Sequence, residues 1–483
     1  MEDEKVMVGR EEKNLKLKDK NNDLSSFFKP ESVAIIGSLS QIWFGGLVIL
    51  NNLLDWGYSG GIYLINPSYD EVQGVRVYPN IKDLPEIIDL AIIMAAAQQV
   101  PSIVKDCTEK GVKAIIIVSD GFAERGENGA KLQREVVETA RRTGIRILGP
   151  NTVGTVNTTT GLVTSPYPIG SKIKRGNIAF AAQTGLISPT GLNYGDLGYK
   201  ISKICDFGNK CDVDEIDLIE YLADDPETKV IAMEIEGIRD GRRFLDVARR
   251  VTKKKPILIF KPGRTKESAR ALMSHTGSLA GEKKIYESAF KQAGIIQANS
   301  LRELLEITKA FSYQPLPKGN RLGIITITGA GGAMATDVAI ESGLVLAKLS
   351  VGTNEKLSEI HPSLVGNPSD VGQIAGMGIP PYGEVIEAML NDVNVDCLLC
   401  TLQGMIPAEY YLQTLNEIKK PENKPITFWV FGPGSDGIDQ IYFELENNGY
   451  PAYLDIESAV RALGAMCQYT KIQMMGKDGG RTQ

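Results

Sequence analysis

The chain is 483 residues long, 43% hydrophobic and 23% charged, with 53 Lys and Arg against 59 Asp and Glu for a formal charge of −6. That length asks for two to four domains, because one hydrophobic core rarely grows past ~250–300 residues, and so mild a charge gives no reason to expect nucleic acid. With no run of ~18 apolar residues, no signal-peptide pattern and only six scattered cysteines, neither a membrane span nor a disulfide framework is expected, and a reducing cytoplasm is the expected home.

Residues 1–24 are charged throughout and are expected to form a mobile arm. From residue 25 to 150, short apolar runs alternate with longer amphipathic stretches: "SVAIIGS", "GIYLINP", "DLAIIMAAA", "KAIIIVSDG" and "IRILGPN". Uninterrupted Val/Ile runs suit parallel strands covered on both faces, and intervening segments such as "AKLQREVVETARRTG" suit crossover helices that stop at glycine. A doubly wound α/β domain is the reading. Its first strand-to-helix turn, "SVAIIGSLSQIWFGG", has the form of a phosphate-binding turn but departs from G-x-G-x-x-G. Ser38 follows Gly37, and the next glycines are Gly45 and Gly46. Asn66 and Pro67 end the second strand where an acidic residue would hold an NAD ribose, so a dehydrogenase is disfavoured and another nucleotide-containing ligand favoured over a purely structural turn.

A second α/β series runs from 151 to 312, and a Pro-rich linker at 313–320 leads to a third at 321–470, followed by a tail at 471–483. The second series contains the turn "AAQTG" (Gln183, Thr184, Gly185) and the strand "KVIAMEIEG", which puts Glu234 and Glu236 on one face. It also holds His275, one of only two histidines, in "SHTGSLA". With no spaced Cys or His partner the set is no metal site, and no Gly-x-Ser-x-Gly elbow accompanies it. Two readings remain for His275: a hydrogen-bonded loop residue, or a nucleophile toward phosphorus with a carboxylate to orient it. The third series opens on "ITGAGG", with Gly331 and Gly332 at a helix start. His361 reads as a helix-end or surface residue, and Cys397 and Cys400 as core, because three residues apart on a strand they face opposite ways. No G-x-x-x-x-G-K-[ST] loop is present, so a phosphoryl group must come from elsewhere.

The segments "GNKCDVDEIDLIEYLADDPETKVIAMEIEGIRDGRRF", "SHTGSLAG", "ILGPNTVG" and "LPKGNRLGIITITGAGG" closely resemble the α subunit of the ADP-forming acetyl-CoA synthetases. These belong to the nucleoside-diphosphate-forming acyl-CoA synthetase superfamily, with succinyl-CoA synthetase, and the resemblance spans about residues 25–470. It implies a Rossmann-like CoA-binding domain followed by two flavodoxin-like ligase domains. It places CoA at Gly37, Ser38, Asn66 and Pro67, with Ser119, Gly121 and Asn151 along the path to the thiol. His275 matches the phosphorylated histidine, Glu236 or Glu234 its orienting carboxylate, and Gln183, Thr184 and Gly185, with Gly331 and Gly332, the phosphate-holding helix starts.

The activity implied is reversible conversion of acyl-CoA, ADP and phosphate into acid, CoA and ATP. The partner implied is an ATP-grasp β subunit carrying Mg2+ and ADP or ATP, in an α2β2 assembly. Three positions depart from the family pattern. Thr184 stands for Ser, Thr152 for Cys, and Ser68 where a lysine is common, which weakens or relocates a CoA phosphate contact. Those departures leave a second reading, a CoA-binding regulatory protein of the same fold without turnover.

Overall fold

The computed structural model describes residues 23–39, 43–169, 173–187, 198–268, 270, 283–377, 381–418, 423–433 and 435–478. Its contacts divide the chain into two compact units, one formed by residues up to 251 with 259–293, the other by 252–258 with residues from 294 onward.

The first unit begins in a four-residue helix, Ser25–Phe28. Leu24, expected in the arm, is instead fully buried beside it. The first sheet comprises β1 (Ser32–Gly37), β2 (Gly61–Ile65), β3 (Glu71–Val72), β4 (Val75–Tyr78), β5 (Leu90–Met94), β6 (Ala114–Ile117) and β7 (Arg146–Leu148), in the order β3-β4-β2-β1-β5-β6-β7. Only β3 runs antiparallel to its neighbour. Without it the winding is that of a dinucleotide-binding fold, with its crevice where the chain reverses between β1 and β5. The uninterrupted apolar runs are explained by cover on both faces: every residue of β5 and β6 is buried. The crossover helices α1 (Gly46–Asp55), α2 (Val100–Lys110) and α3 (Glu127–Thr143) supply that cover, and α2 and α3 stop at left-handed Gly111 and Gly144 as the sequence suggests.

The second sheet of this unit contains β8 (Thr155–Asn157), β9 (Leu162–Val163), β10 (Lys174–Ala182), β11 (Lys200–Asp206) and β12 (Val230–Glu234). Among these five strands of a seven-stranded sheet the order is β12-β10-β11-β8-β9, with β10, β11 and β12 mutually parallel and β8 antiparallel. The register of the three parallel strands aligns their ends. Ala182 pairs with Asp206 on one side and with Glu234 on the other, so two carboxylates end the strands that flank β10 at one level.

In the second unit, β13 (Arg321–Thr326), β14 (Val345–Leu346), β15 (Ser369–Asp370), β16 (Cys397–Gln403), β17 (Ile426–Phe431) and β18 (Ala452–Tyr453) form an all-parallel sheet. Its order is β14-β13-β16-β17-β18, with β15 also on β13, which is flavodoxin-like winding. Cys397 and Cys400 are both fully buried in β16, and Cys400 packs in the main apolar core. The last helix, Ile456–Asp478, runs across the expected start of the tail at 471. Among the described residues no helix is long and apolar enough to cross a membrane.

Candidate active site

A cavity of about 1160 Å3 opens in the first unit at the C-terminal edges of both its sheets. It exceeds the ~300–1,000 Å3 of ordinary small-molecule sites. The residues singled out from sequence reach it from six separate stretches of chain. Gly37, Ser38, Asn66, Pro67, Ser119 and Asn151 line one end. Gln183, Thr184, Gly185 and Glu236 line the other.

At the first end the backbone is built for close approach. Gly37 has φ +120°, and a Cβ there would sit 1.9 Å from the Met94 carbonyl oxygen, so no other residue fits the turn. Asn66 Nδ2 donates to Gly37 O at 2.8 Å while its Oδ1 accepts from Ser68 N at 2.8 Å, tying the ends of β1 and β2 together. The segment 165–167 folds over the start of α1. Gly45 N donates to Pro166 O at 3.0 Å, and buried Asn52 donates to the carbonyls of Ser165 and Tyr167 at 2.9 Å each. This brings the Phe44 and Tyr167 rings to 4.9 Å on the cavity wall. Farther along, Ser119 Oγ donates to Ala95 O at 2.6 Å, and Asn151 N donates to Ser119 O at 2.9 Å. Asn151 adopts φ +59°, a left-handed conformation tolerated by asparagine. Gly121 stands just outside the lining, its N–H donating to Glu124 Oε1 at 2.6 Å. Among the described lining residues none is Lys or Arg, so backbone amides and polar side chains are what this wall offers a phosphate.

The other end is a cluster of like charges. Gln183 N donates to Glu234 Oε2 at 3.1 Å, and Glu236 N donates to Gln183 Oε1 at 3.3 Å, so the turn is clamped to the strand carrying both glutamates. Thr184 Oγ1 accepts from Leu186 N at 3.3 Å inside the single 3-10 turn Gly185–Ile187. Glu234 is only 3% exposed, and its Oε1 has no partner among the described residues. Burial first, then the neighbouring Glu236 charge, pushes its carboxyl up to about 8, which leaves it protonated at neutral pH. Glu236, also buried, reaches the cavity, whereas Glu234 is not part of its wall.

Three side chains that the sequence does not single out complete this end. Asp206 lines the cavity, accepting from Val153 N at 2.7 Å and Gly208 N at 3.0 Å. Thr152 Oγ1 donates to the Asp206 carbonyl, so the hydroxyl at this departure from the family pattern is already engaged. Lys261 donates to Glu236 O at 2.8 Å and lies 4.5 Å from the Tyr286 ring; burial holds its ammonium below the ordinary lysine value. Lys210, at φ +52°, donates to Glu215 Oε2 at 2.9 Å and Gly237 O at 2.6 Å. Asp206 has a legible signal, since "KICDFGN" puts an acid at a strand end just as "AMEIEG" does. Lys210 and Lys261 have none, because a lysine after a strand looks like any solvated residue.

His275 lies outside the described residues. Gly331 and Gly332 lie in the second unit, in the first turn of α4 (Gly329–Glu341), where Thr328 caps the helix by accepting from Gly331 N at 2.9 Å. A Cβ on Gly332 would press on Pro368 at 3.1 Å, so packing too asks for glycine there. His361 follows the helix Val351–Ile360, with its Nδ1 3.3 Å from Ser363 N and 2.8 Å from Ser363 Oγ. Among the described residues no group of three or more His, Cys, Asp or Glu side chains is placed to hold a metal ion.

Comparison with known proteins adds identity to this geometry. Residues 31–158 match the CoA-binding domain family, and residues 175–311 the succinyl-CoA ligase-like flavodoxin domain. The alpha subunit of ADP-forming acetate–CoA ligase II from Pyrococcus furiosus is 40% identical over 460 residues, 93% of this chain and 98% of the relative. ADP-forming acetate–CoA ligase II from Archaeoglobus fulgidus is 39% identical over 463 residues, 93% of this chain and 67% of the relative. The solved structure of dinucleotide-forming acetyl-coenzyme A synthetase 1 from Candidatus Korarchaeum cryptofilum, in complex with phosphate and ADP, matches with a TM-score of 0.87 at 32% identity. That match covers 96% of this chain and 100% of the other.

Proposed function

The chain belongs to the family of ADP-forming acetate–CoA ligases, whose alpha subunits it matches over nearly their whole length, and we propose how its residues divide the reaction. It is a CoA ligase chain with a CoA-binding domain, and its substrate is acetyl-CoA or a similar small acyl-CoA. CoA enters along Gly37, Ser38, Asn66 and Pro67 and passes Ser119, Gly121 and Asn151, so that its thiol end meets the turn Gln183–Gly185. There an oxygen of inorganic phosphate attacks the thioester carbon, the C–S bond breaks, and acyl phosphate and CoA result. Gln183, Thr184 and Gly185 hold the phosphate; amide N–H groups suit an anion. A nitrogen of His275 then attacks phosphorus, the bond to the acyl oxygen breaks, and the free acid leaves. Glu236, which reaches the cavity where Glu234 does not, accepts from the other ring nitrogen and stabilises the charged ring. The phosphoryl group passes to ADP held with Mg2+ on a separate ATP-grasp β subunit, in an α2β2 assembly.

One observation carries this reading: a single cavity gathers the CoA turns of the first domain, the Gln183–Gly185 turn and Glu236. Radiolabelled ATP, Mg2+ and the β partner are expected to place acid-labile phosphate on this chain. The His275→Asn chain is expected to take none while keeping its unfolding midpoint. Label that persists in His275→Asn overturns the relay.

A further inference from the structure

We propose that Asp206 is the proton acceptor for the CoA thiol in the acyl-transfer step, a catalytic role that rests on the proposed ligase function. The acyl carbon is bonded in turn to sulfur and to a phosphate oxygen, so both must come within a few ångströms of one point beside the Gln183 turn. Asp206 ends β11 at the level of Ala182, the residue before Gln183, and lines the same cavity. Each of its carboxylate oxygens accepts one backbone amide, Val153 N at Oδ2 and Gly208 N at Oδ1. A carboxylate has about four acceptor positions, so two remain for a donor arriving through the cavity.

Its surroundings keep that carboxylate basic. On its own strand stands the buried Cys205 thiol; across Ala182 on β12 stand Glu234 and, beyond it, Glu236. The turn 150–154 packed against it, Pro150 to Gly154, brings no titratable side chain. The nearby Lys210 ammonium is committed to Glu215 and Gly237 O. Burial, with the Glu236 charge added, pushes the Asp206 carboxyl up to about 6 against the pull of the two amides and Thr152. An ordinary thiol ionises near ~8.5, a gap that a positioned base crosses readily.

When thioester is made, the S–H proton passes to Asp206, sulfur attacks the acyl carbon, and the C–O bond breaks with its electron pair leaving on phosphate. In the opposite direction the departing sulfur takes the proton back. Transfer of the phosphoryl group from acyl phosphate to His275 involves no thiol and needs no Asp206.

The test therefore measures two reactions on the full chain with its partner: formation of acetyl-CoA from acetyl phosphate and CoA, and labelling of the chain by acetyl phosphate carrying radioactive phosphorus. In Asp206→Asn the first is expected to fall on the order of 100-fold or more, and the second to stay within about threefold. Retention of the first within tenfold overturns the proposal. Should the amide disturb the two backbone bonds and depress both reactions, the pH profile of the wild-type chain decides. An acid limb near pH 6 in the CoA reaction alone supports Asp206, and the same limb in both reactions overturns it. Labelling of the wild-type chain upholds the phosphohistidine relay whatever Asp206 does.

Discussion

Two regions of the molecule bury acids, and they treat them in opposite ways. In the second unit, Lys309 is wholly buried, with its ammonium 3.0 Å from Glu446 Oε1, 3.0 Å from Glu306 Oε2 and 2.6 Å from Ala452 O. The Tyr442 hydroxyl stands 3.2 Å from it and the Tyr453 ring 4.5 Å. There a buried ammonium lies against one oxygen of each acid, although burial still raises the Glu446 carboxyl and its Oε2 makes no hydrogen bond among the described residues. In the first unit, Glu234, Glu236 and Asp206 crowd the ends of two strands, while the nearby cations are aimed away from their carboxylates. Lys261 is turned to the Glu236 and Pro262 carbonyls and Lys210 to Glu215. Burial and a neighbouring like charge raise the Glu234 and Asp206 carboxyls, and perturbed acids of this kind cluster at functional sites. The contrast is one of position: one group of acids lies against a buried ammonium, the other beside a cavity.

The comparison breaks most visibly at its structural end. Lys309→Met leaves buried Glu446 and half-buried Glu306 without their cation and is expected to lower the unfolding free energy by ~3–5 kcal/mol in urea titrations at pH 7. A loss under 1 kcal/mol would show that the ammonium is dispensable to the second unit. At the functional end the sign reverses. Folded Glu234 keeps a proton that an ordinary glutamate in the unfolded chain has released, so its contribution is whole below about 4.5 and is lost as pH rises through about 8. Glu234→Gln is expected to flatten the fall of unfolding free energy between pH 5 and 8 by on the order of 3 kcal/mol. An unchanged slope would mean the carboxyl is not buried uncharged. The smallest effect sharpens the contrast at the second unit's glycine turn, whose Gly331 N–H is satisfied internally by Thr328. Thr328→Ala is expected to cost about 1 kcal/mol of stability. CoA affinity, measured by calorimetry, should not change; a change above threefold would contradict an internal, structural cap.

Much of this arrangement is legible in residue order. The Val/Ile runs of β1, β5 and β6 announce strands covered on both faces, and Gly111 and Gly144 announce helix stops, because these depend on neighbours along the chain. The glycine turn at Gly37 and the facing pair Glu234 and Glu236 are likewise local patterns. Asp206 shows locally only as an acid at a strand end, and its place beside Ala182 and Glu234 comes from the sheet; Lys210 and Lys261 escape the sequence because a lysine's partners are chosen in space.

By itself the sequence determined the class of fold, the wound α/β series and where its strand-to-helix turns fall, since periodicity and turn chemistry are short-range properties. Tertiary structure alone decided which acids share one pocket, which cations are withheld from them, and that Glu236 rather than Glu234 faces the cavity. The reason is electrostatic: a charge's state depends on its burial and on everything within several ångströms, and parallel strands bring together residues that lie dozens of positions apart in the chain.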